Sequence, residues 1–207
     1  GIRYAARRGA QVINLSLEFG TLVRAVEIPG ILDALRYAAR KGTFVVAASG
    51  NEGEQTIAYP ARATRVVAVG ATTEDGCLAD YSNGGAEIDL VAPGGGPDAE
   101  VSNDPNCRPL EGSERGITQF TYKGSSMRRF GLRTEEGTSM SSPHVAATAA
   151  LVIASGVLGP NPTPRAVEER LEATARDLGP PGFDDRYGAG LLDAAAATAG
   201  PSLTPSR

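Results

Sequence analysis

The sequence predicts an α/β fold of three layers, a mainly parallel β-sheet flanked by helices. Three observations point to it. A helix-Gly-strand unit occurs twice within the first 50 residues. The candidate strands are continuous apolar runs, which suit strands buried on both faces of a parallel sheet. One later segment is small or apolar on every side, as a helix enclosed by protein would be. With 207 residues, the chain can bury one substantial core. No run approaches the roughly 20 apolar residues of a membrane span. The net charge is −4, so the basic face that phosphate binding needs is not expected, and nucleic acid is set aside as a partner.

The first unit runs Arg3-Tyr4-Ala5-Ala6-Arg7-Arg8-Gly9 into Val12-Ile13-Asn14-Leu15-Ser16. The second runs Arg36-Tyr37-Ala38-Ala39-Arg40-Lys41-Gly42 into Phe44-Val45-Val46-Ala47-Ala48-Ser49. Each is an Ala-rich helix closed by a Gly, then an apolar strand. Ile31, Leu35, Ala38 and Ala39 share one helix face. Residues 66–71 and 88–92 give a third and a fourth strand, the last ending at Pro93-Gly94. Residues of about 95–133 break the pattern with Gly, Pro, Asn and charge. They read as a surface insertion holding a hairpin near residues 117–122. Residues 143–154 are the all-apolar helix, expected at the centre. Residues 164–175 form an amphipathic helix with Pro in its first turn, and 187–199 a turn and an Ala-rich helix. Residues 1–200 are expected to belong to one domain and 201–207 to a tail or linker. The chain opens inside what reads as an amphipathic helix, so the domain is expected to be incomplete on its N-terminal side.

In parallel sheets, ligands bind beyond the carboxyl ends of the strands. Those ends fall at residues 14–17, 49–51 and 71–73. The chemistry-bearing segment is Gly137-Thr138-Ser139-Met140-Ser141-Ser142-Pro143-His144-Val145-Ala146. A tight turn there leads into the apolar helix and places Ser139 at the helix N-terminus. Free N–H groups and the helix dipole favour developing negative charge at such a place, as when a serine attacks a carbonyl. Gly-Thr-Ser alone would read first as a helix cap.

The ten-residue string resembles the nucleophile signature of the subtilisin-like serine proteases. Ala47-Ala48-Ser49-Gly50-Asn51-Glu52-Gly53 is similar to the same family's oxyanion segment. Further similarity runs through residues 12–17, Tyr59-Pro60, 67–70, Tyr81-Ser82, 89–94 and 187–192. The resemblance identifies the chain as the C-terminal part of such a catalytic domain. It implies Ser139 as nucleophile, with Asn51 and the Ser139 N–H as oxyanion donors. Leu15, Ser16 and Leu17 on one side, and Ala48, Ser49 and Gly50 on the other, would flank an extended peptide or protein substrate. The implied reaction is endopeptidase hydrolysis through an acyl-enzyme.

His144, the sole histidine, lies five residues past Ser139, off its helix face, and reads as structural. The family's triad runs Asp, His, Ser along the chain. Neither an Asp-Thr/Ser-Gly nor a His-Gly-Thr string occurs here. Both residues are therefore expected upstream, in a part of the same domain that would be this chain's partner. The 207 residues alone are expected to be inactive. An inactive pseudoprotease or peptide-binding module is the alternative. An esterase of the α/β-hydrolase type would want Gly-x-Ser-x-Gly, which Ser141 breaks.

The resemblance also implies secretion, and no cofactor for the chemistry. Structural calcium is common in the family, mostly in loops outside this chain. Asp98, Asn103, Asp104 and Asn106 read as a polar surface loop before a cation loop. Cys77 and Cys107 would bridge in an oxidising compartment or remain two free thiols. Where the family usually has Gly, this chain has Glu18, and Glu52 matches the rim of the primary pocket. Two carboxylates there would favour Lys or Arg substrates, unless Glu18 turns to solvent.

Overall fold

The computed structural model describes residues 1–102, 104–109, 115–124 and 126–200. At its centre are four parallel strands, β1 (Val12–Leu15), β2 (Phe44–Ala48), β3 (Val67–Thr72) and β4 (Leu90–Pro93), in that order across the sheet. Helices α1 (Ile2–Arg7) and α2 (Pro29–Arg40) cover one face. The other carries α3 (Thr138–Ser155), α4 (Pro164–Thr174) and α5 (Ala194–Thr198).

The continuous apolar runs follow from this sandwich. Alternate residues of a strand point to opposite faces. Phe44 and Val46 join the core under α3, while Val45 and Ala47 join the core under α2. Both faces are dry, so both parities must be apolar. Each fully buried Val or Leu contributes about 1.5–3 kcal/mol.

The helices end as the repeats suggest. Gly9 and Gly42 take positive φ just after α1 and α2, where a side chain would be strained. Pro164 opens α4, and Thr163 caps it by accepting from the Ala166 N–H.

Beyond β4, Ile117–Lys123 (β5) and Ser126–Glu135 (β6) pair as an antiparallel hairpin. A backbone bridge between Gly95 and Gly116 joins the foot of this hairpin to the loop after β4. Cys77 and Cys107 are bridged, tying residues 104–109 to the loop after β3.

Two expectations need correction. The apolar helix begins at Thr138, and one side of it is open: Pro143, Ala147, Ala150, Leu151 and Ala154 are exposed, Leu151 by 54%. Only the side facing the sheet is covered. Likewise β1, read as buried on both faces, is the edge strand, with Asn14 exposed. Among the described residues no strand lies on its far side.

Candidate active site

The site lies where the strands end, as the topology requires. Ser139 stands in the first turn of α3, where backbone N–H groups lack partners one turn back. Its helix contains Pro143, which has no N–H to give to the carbonyl four residues earlier. That carbonyl belongs to Ser139. The Ser16 hydroxyl supplies the missing donor, at 2.7 Å. Ser16 Oγ also lies 3.1 Å from Ser142 Oγ and receives the Asn14 side-chain N–H at 2.9 Å. The end of β1 is thus clasped to the turn that carries Ser139. The Ser139 hydroxyl points to the Ser16 carbonyl at 3.4 Å.

Asn51 follows β2 and is oriented by the same turn. The Thr138 backbone N–H meets its Oδ1 at 2.8 Å, and the Thr138 hydroxyl does so at 3.0 Å. A backbone N–H can only donate, so the oxygen of the amide must face Thr138. Nδ2 faces the other way and donates to Glu18 Oε1 at 3.1 Å. Gly137, with φ 136°, lets the chain pass: a Cβ there would lie 3.3 Å from Asn51 Oδ1.

Glu18 therefore turns into the site. Its Oε2 is buried and receives no hydrogen bond among the described residues. Burial raises its carboxyl above the ordinary range, and the charge of Glu52 adds to this, against the hydrogen bond from Asn51. Gly50 separates the two acids. A Cβ on Gly50 would sit 2.8 Å from Glu18 Oε2, 2.9 Å from Glu52 Oε2 and 2.1 Å from Asn83 Nδ2, so only Gly fits. Glu52 is itself held: Asn83 Nδ2 donates to Oε2 at 2.6 Å and the Asn51 N–H at 3.1 Å.

Two residues have supporting roles that the sequence did not assign: Tyr81, which fell in a similar segment without a role, and Asn83, which was not singled out. Buried Asn83 accepts the N–H groups of Glu52 and Glu54 on its Oδ1, at 3.0 and 2.9 Å, and so shapes the loop after Asn51. The Tyr81 hydroxyl accepts the Gly137 N–H at 3.0 Å and donates to the Gly95 carbonyl at 2.7 Å. Burial pushes that phenol upward, keeping it neutral and able to donate. Nothing local to Tyr81-Ser82-Asn83 marks either role.

The other candidates fall in place around this centre. Leu17 is exposed beside Ser16, and Ala48 and Ser49 are buried at the end of β2. Ser49 Oγ donates to the Asn83 carbonyl at 2.9 Å. His144 Nδ1 lies 2.8 Å from the Met140 carbonyl, a helix-internal contact. Ser139, Met140, Pro143, His144 and Ala147 line a cavity of about 240 Å³ with Ile117 and Gln119 of the hairpin. In the polar loop, Asp98 accepts from Thr73. Asp104 accepts from the N–H groups of Asn106 and Cys107 and from Tyr187. Asn103 lies outside the described residues.

A parallel-sheet protein with a serine at a helix N-terminus and a side-chain amide fixed beside it has the form of a serine hydrolase of subtilisin architecture. The chain belongs to the subtilase family, whose model matches residues 1–190. It is 36% identical over 198 residues to Subtilisin BL and to Subtilisin Savinase of Lederbergia lenta, covering 96% of this chain and 60% of each relative. The chain thus spans about 60% of the length of those relatives. A lanthipeptide protease crystal structure superposes with a TM-score of 0.79 at 29% identity, over 95% of this chain and 63% of that one. A protease of Pseudoalteromonas arctica gives 0.76 at 32% identity, over 96% and 56%.

Proposed function

We propose that these residues carry the nucleophile and oxyanion donors of a serine endopeptidase. The carrying observation is the amide orientation: Thr138, the neighbour of Ser139, holds Asn51 Oδ1, so Nδ2 is the group left to donate on the opposite side. In this reading Ser139 Oγ attacks the peptide carbonyl and forms the C–O bond, while its proton passes to a general base. The carbonyl oxygen becomes an oxyanion, stabilised by Asn51 Nδ2 and the Ser139 N–H. The tetrahedral adduct breaks its C–N bond and expels the amine, which takes up the proton. Water then releases the acyl group from Ser139 by the same steps.

The base and its orienting carboxylate are supplied by the upstream part of the same domain. Three features support this. The cavity beside Ser139 leaves its hydroxyl approachable, the side of α3 that lines it is open, and β1 offers an unpaired edge. The reading takes residues 1–200 as one domain and the chain as its C-terminal part. It makes the protein an exported one, in keeping with its bridged cysteines.

One observation favours the inactive, peptide-binding alternative: Glu18 occupies the Asn51 donor. Turnover separates the two. The full-length protein should hydrolyse denatured casein or a mixed peptide pool, and Ser139→Ala should abolish it. Peptide binding without cleavage by the unaltered protein would favour the binding module.

A further inference from the structure

We propose that Glu18 is the specificity-determining residue of the cleft. It occupies the Asn51 amide when no substrate is bound, and it favours peptides with Lys or Arg on the acyl side of the scissile bond. The inference rests on the reading of Asn51 as oxyanion donor.

Asn51 Nδ2 lies 3.1 Å from Glu18 Oε1. An oxyanion formed at Ser139 would need the same nitrogen. Two anions that share one donor repel each other at close range. Glu18 must therefore leave Asn51 or lose its charge before the donor can serve.

Its resting place is an uneasy one. Oε2 is shut from solvent with no hydrogen bond among the described residues, a condition that penalises a charged group heavily. Across Gly50 stands Glu52, the charged group that acts on it, and the two Oε2 atoms flank the same point at 2.8 and 2.9 Å. Glu52 cannot turn aside freely, because Asn83 and the Asn51 N–H hold it.

A cation relieves each of these strains. An ammonium or guanidinium that draws Glu18 out of this closed place and off Asn51 gives Oε2 its donor and offsets the repulsion between the carboxylates. An apolar side chain does none of this and leaves the donor occupied. The gain for a basic substrate thus has two sources, attraction to the displaced Glu18 and release of the oxyanion donor.

Glu18→Gln keeps the shape and removes the charge. It should act in opposite directions on two substrates, raising kcat/KM for a Leu peptide and lowering it for the matched Lys peptide. The unaltered full-length enzyme should prefer Lys over Leu by about tenfold, the scale of a charge pair at a partly wet site. In Glu18→Gln the ratio should fall to about one, and Glu18→Gly should behave likewise. Rates are normalised to the folded fraction by near-UV circular dichroism, so a misfolded variant does not imitate the effect. Ser139→Ala is run beside them. If it still cleaves both peptides, the nucleophile assignment fails. If it is inactive while the unaltered enzyme shows no preference for Lys, or Glu18→Gln leaves the ratio unchanged, the role of Glu18 is overturned.

Discussion

The Asn51 amide has one orientation, and Thr138 imposes it. Because the Oδ1 side is held by an N–H and a hydroxyl, the amide itself need not turn for Nδ2 to serve the proposed role, and only Glu18 has to release it. Asn51→Ala in the full-length enzyme should lower kcat by about 10²–10³ with little change in KM, the loss known for the corresponding donor of subtilisin itself. A large rise in KM at constant kcat would instead make Asn51 a ground-state contact. Tyr81 acts one step further out, holding Gly137 rather than the substrate. Tyr81→Phe removes only the hydroxyl, and a single neutral hydrogen bond is worth about 0.5–1.5 kcal/mol. The expected result is a fall in kcat of about 2–10-fold at unchanged KM. An equal rise in KM, with kcat constant, would place Tyr81 in substrate binding. Ser139 and Asn51 could be picked out in the sequence because each stands in an ordered string of neighbours. The roles of Tyr81 and Asn83 could not be read there, since their hydrogen bonds join residues brought together only by folding. The direction of Glu18 was equally hidden: a carboxylate after a strand turns inward or outward according to which donors the fold sets before it.

At the scale of elements, the Ala-rich repeats and the two-faced apolar runs of β2 and β3 were legible, because local pattern and global burial agree there. The exposed sides of β1 and α3 were not. Apolar composition says that a surface should be covered, without saying by what. The start of α3 was also misplaced, because Pro143 and the small residues before it resemble a turn. In the fold Ser16 donates to the carbonyl that Pro143 leaves free, and the helix extends back to Thr138. Where β4 begins, Asp89 meets α4. Its Oδ2 accepts the Ala68 N–H at 2.7 Å, and carboxylate oxygens of Asp89, Glu168 and Glu172 lie within 4.8 Å of one another. Burial, followed by the charges of Glu168 and Glu172, pushes Asp89 up to about 7. An acid whose folded pKa is raised binds more protons folded than unfolded, so stability falls as pH rises between the two values. Stability should therefore decline from about pH 4, near the unfolded value, to about pH 7. Asp89→Asn keeps an acceptor for Ala68 and should flatten that decline in urea unfolding measured across the range. A decline of the same size in the variant would remove Asp89 as its source.

For the whole molecule, the hairpin, the open side of α3 and the edge of β1 meet around the approach to Ser139. In the proposed function the nucleophile turn and the oxyanion amide both lie on this chain, and the proton-transfer groups come from outside it. The isolated chain should accordingly show no more than the residual catalysis that binding and an oxyanion hole supply, about 10³–10⁴ over water. Robust peptide turnover by the purified chain that Ser139→Ala abolishes would refute a base from outside it. The most direct measurement of the central claim is the site and rate of labelling by a fluorophosphonate, which reacts with a serine only when a base activates it. One adduct should form per full-length molecule, mapped by mass spectrometry to Ser139, and labelling of the isolated chain should be slower by about a thousandfold or more. An adduct on a different serine, or equal rates for the isolated chain and the full-length protein, would contradict that claim.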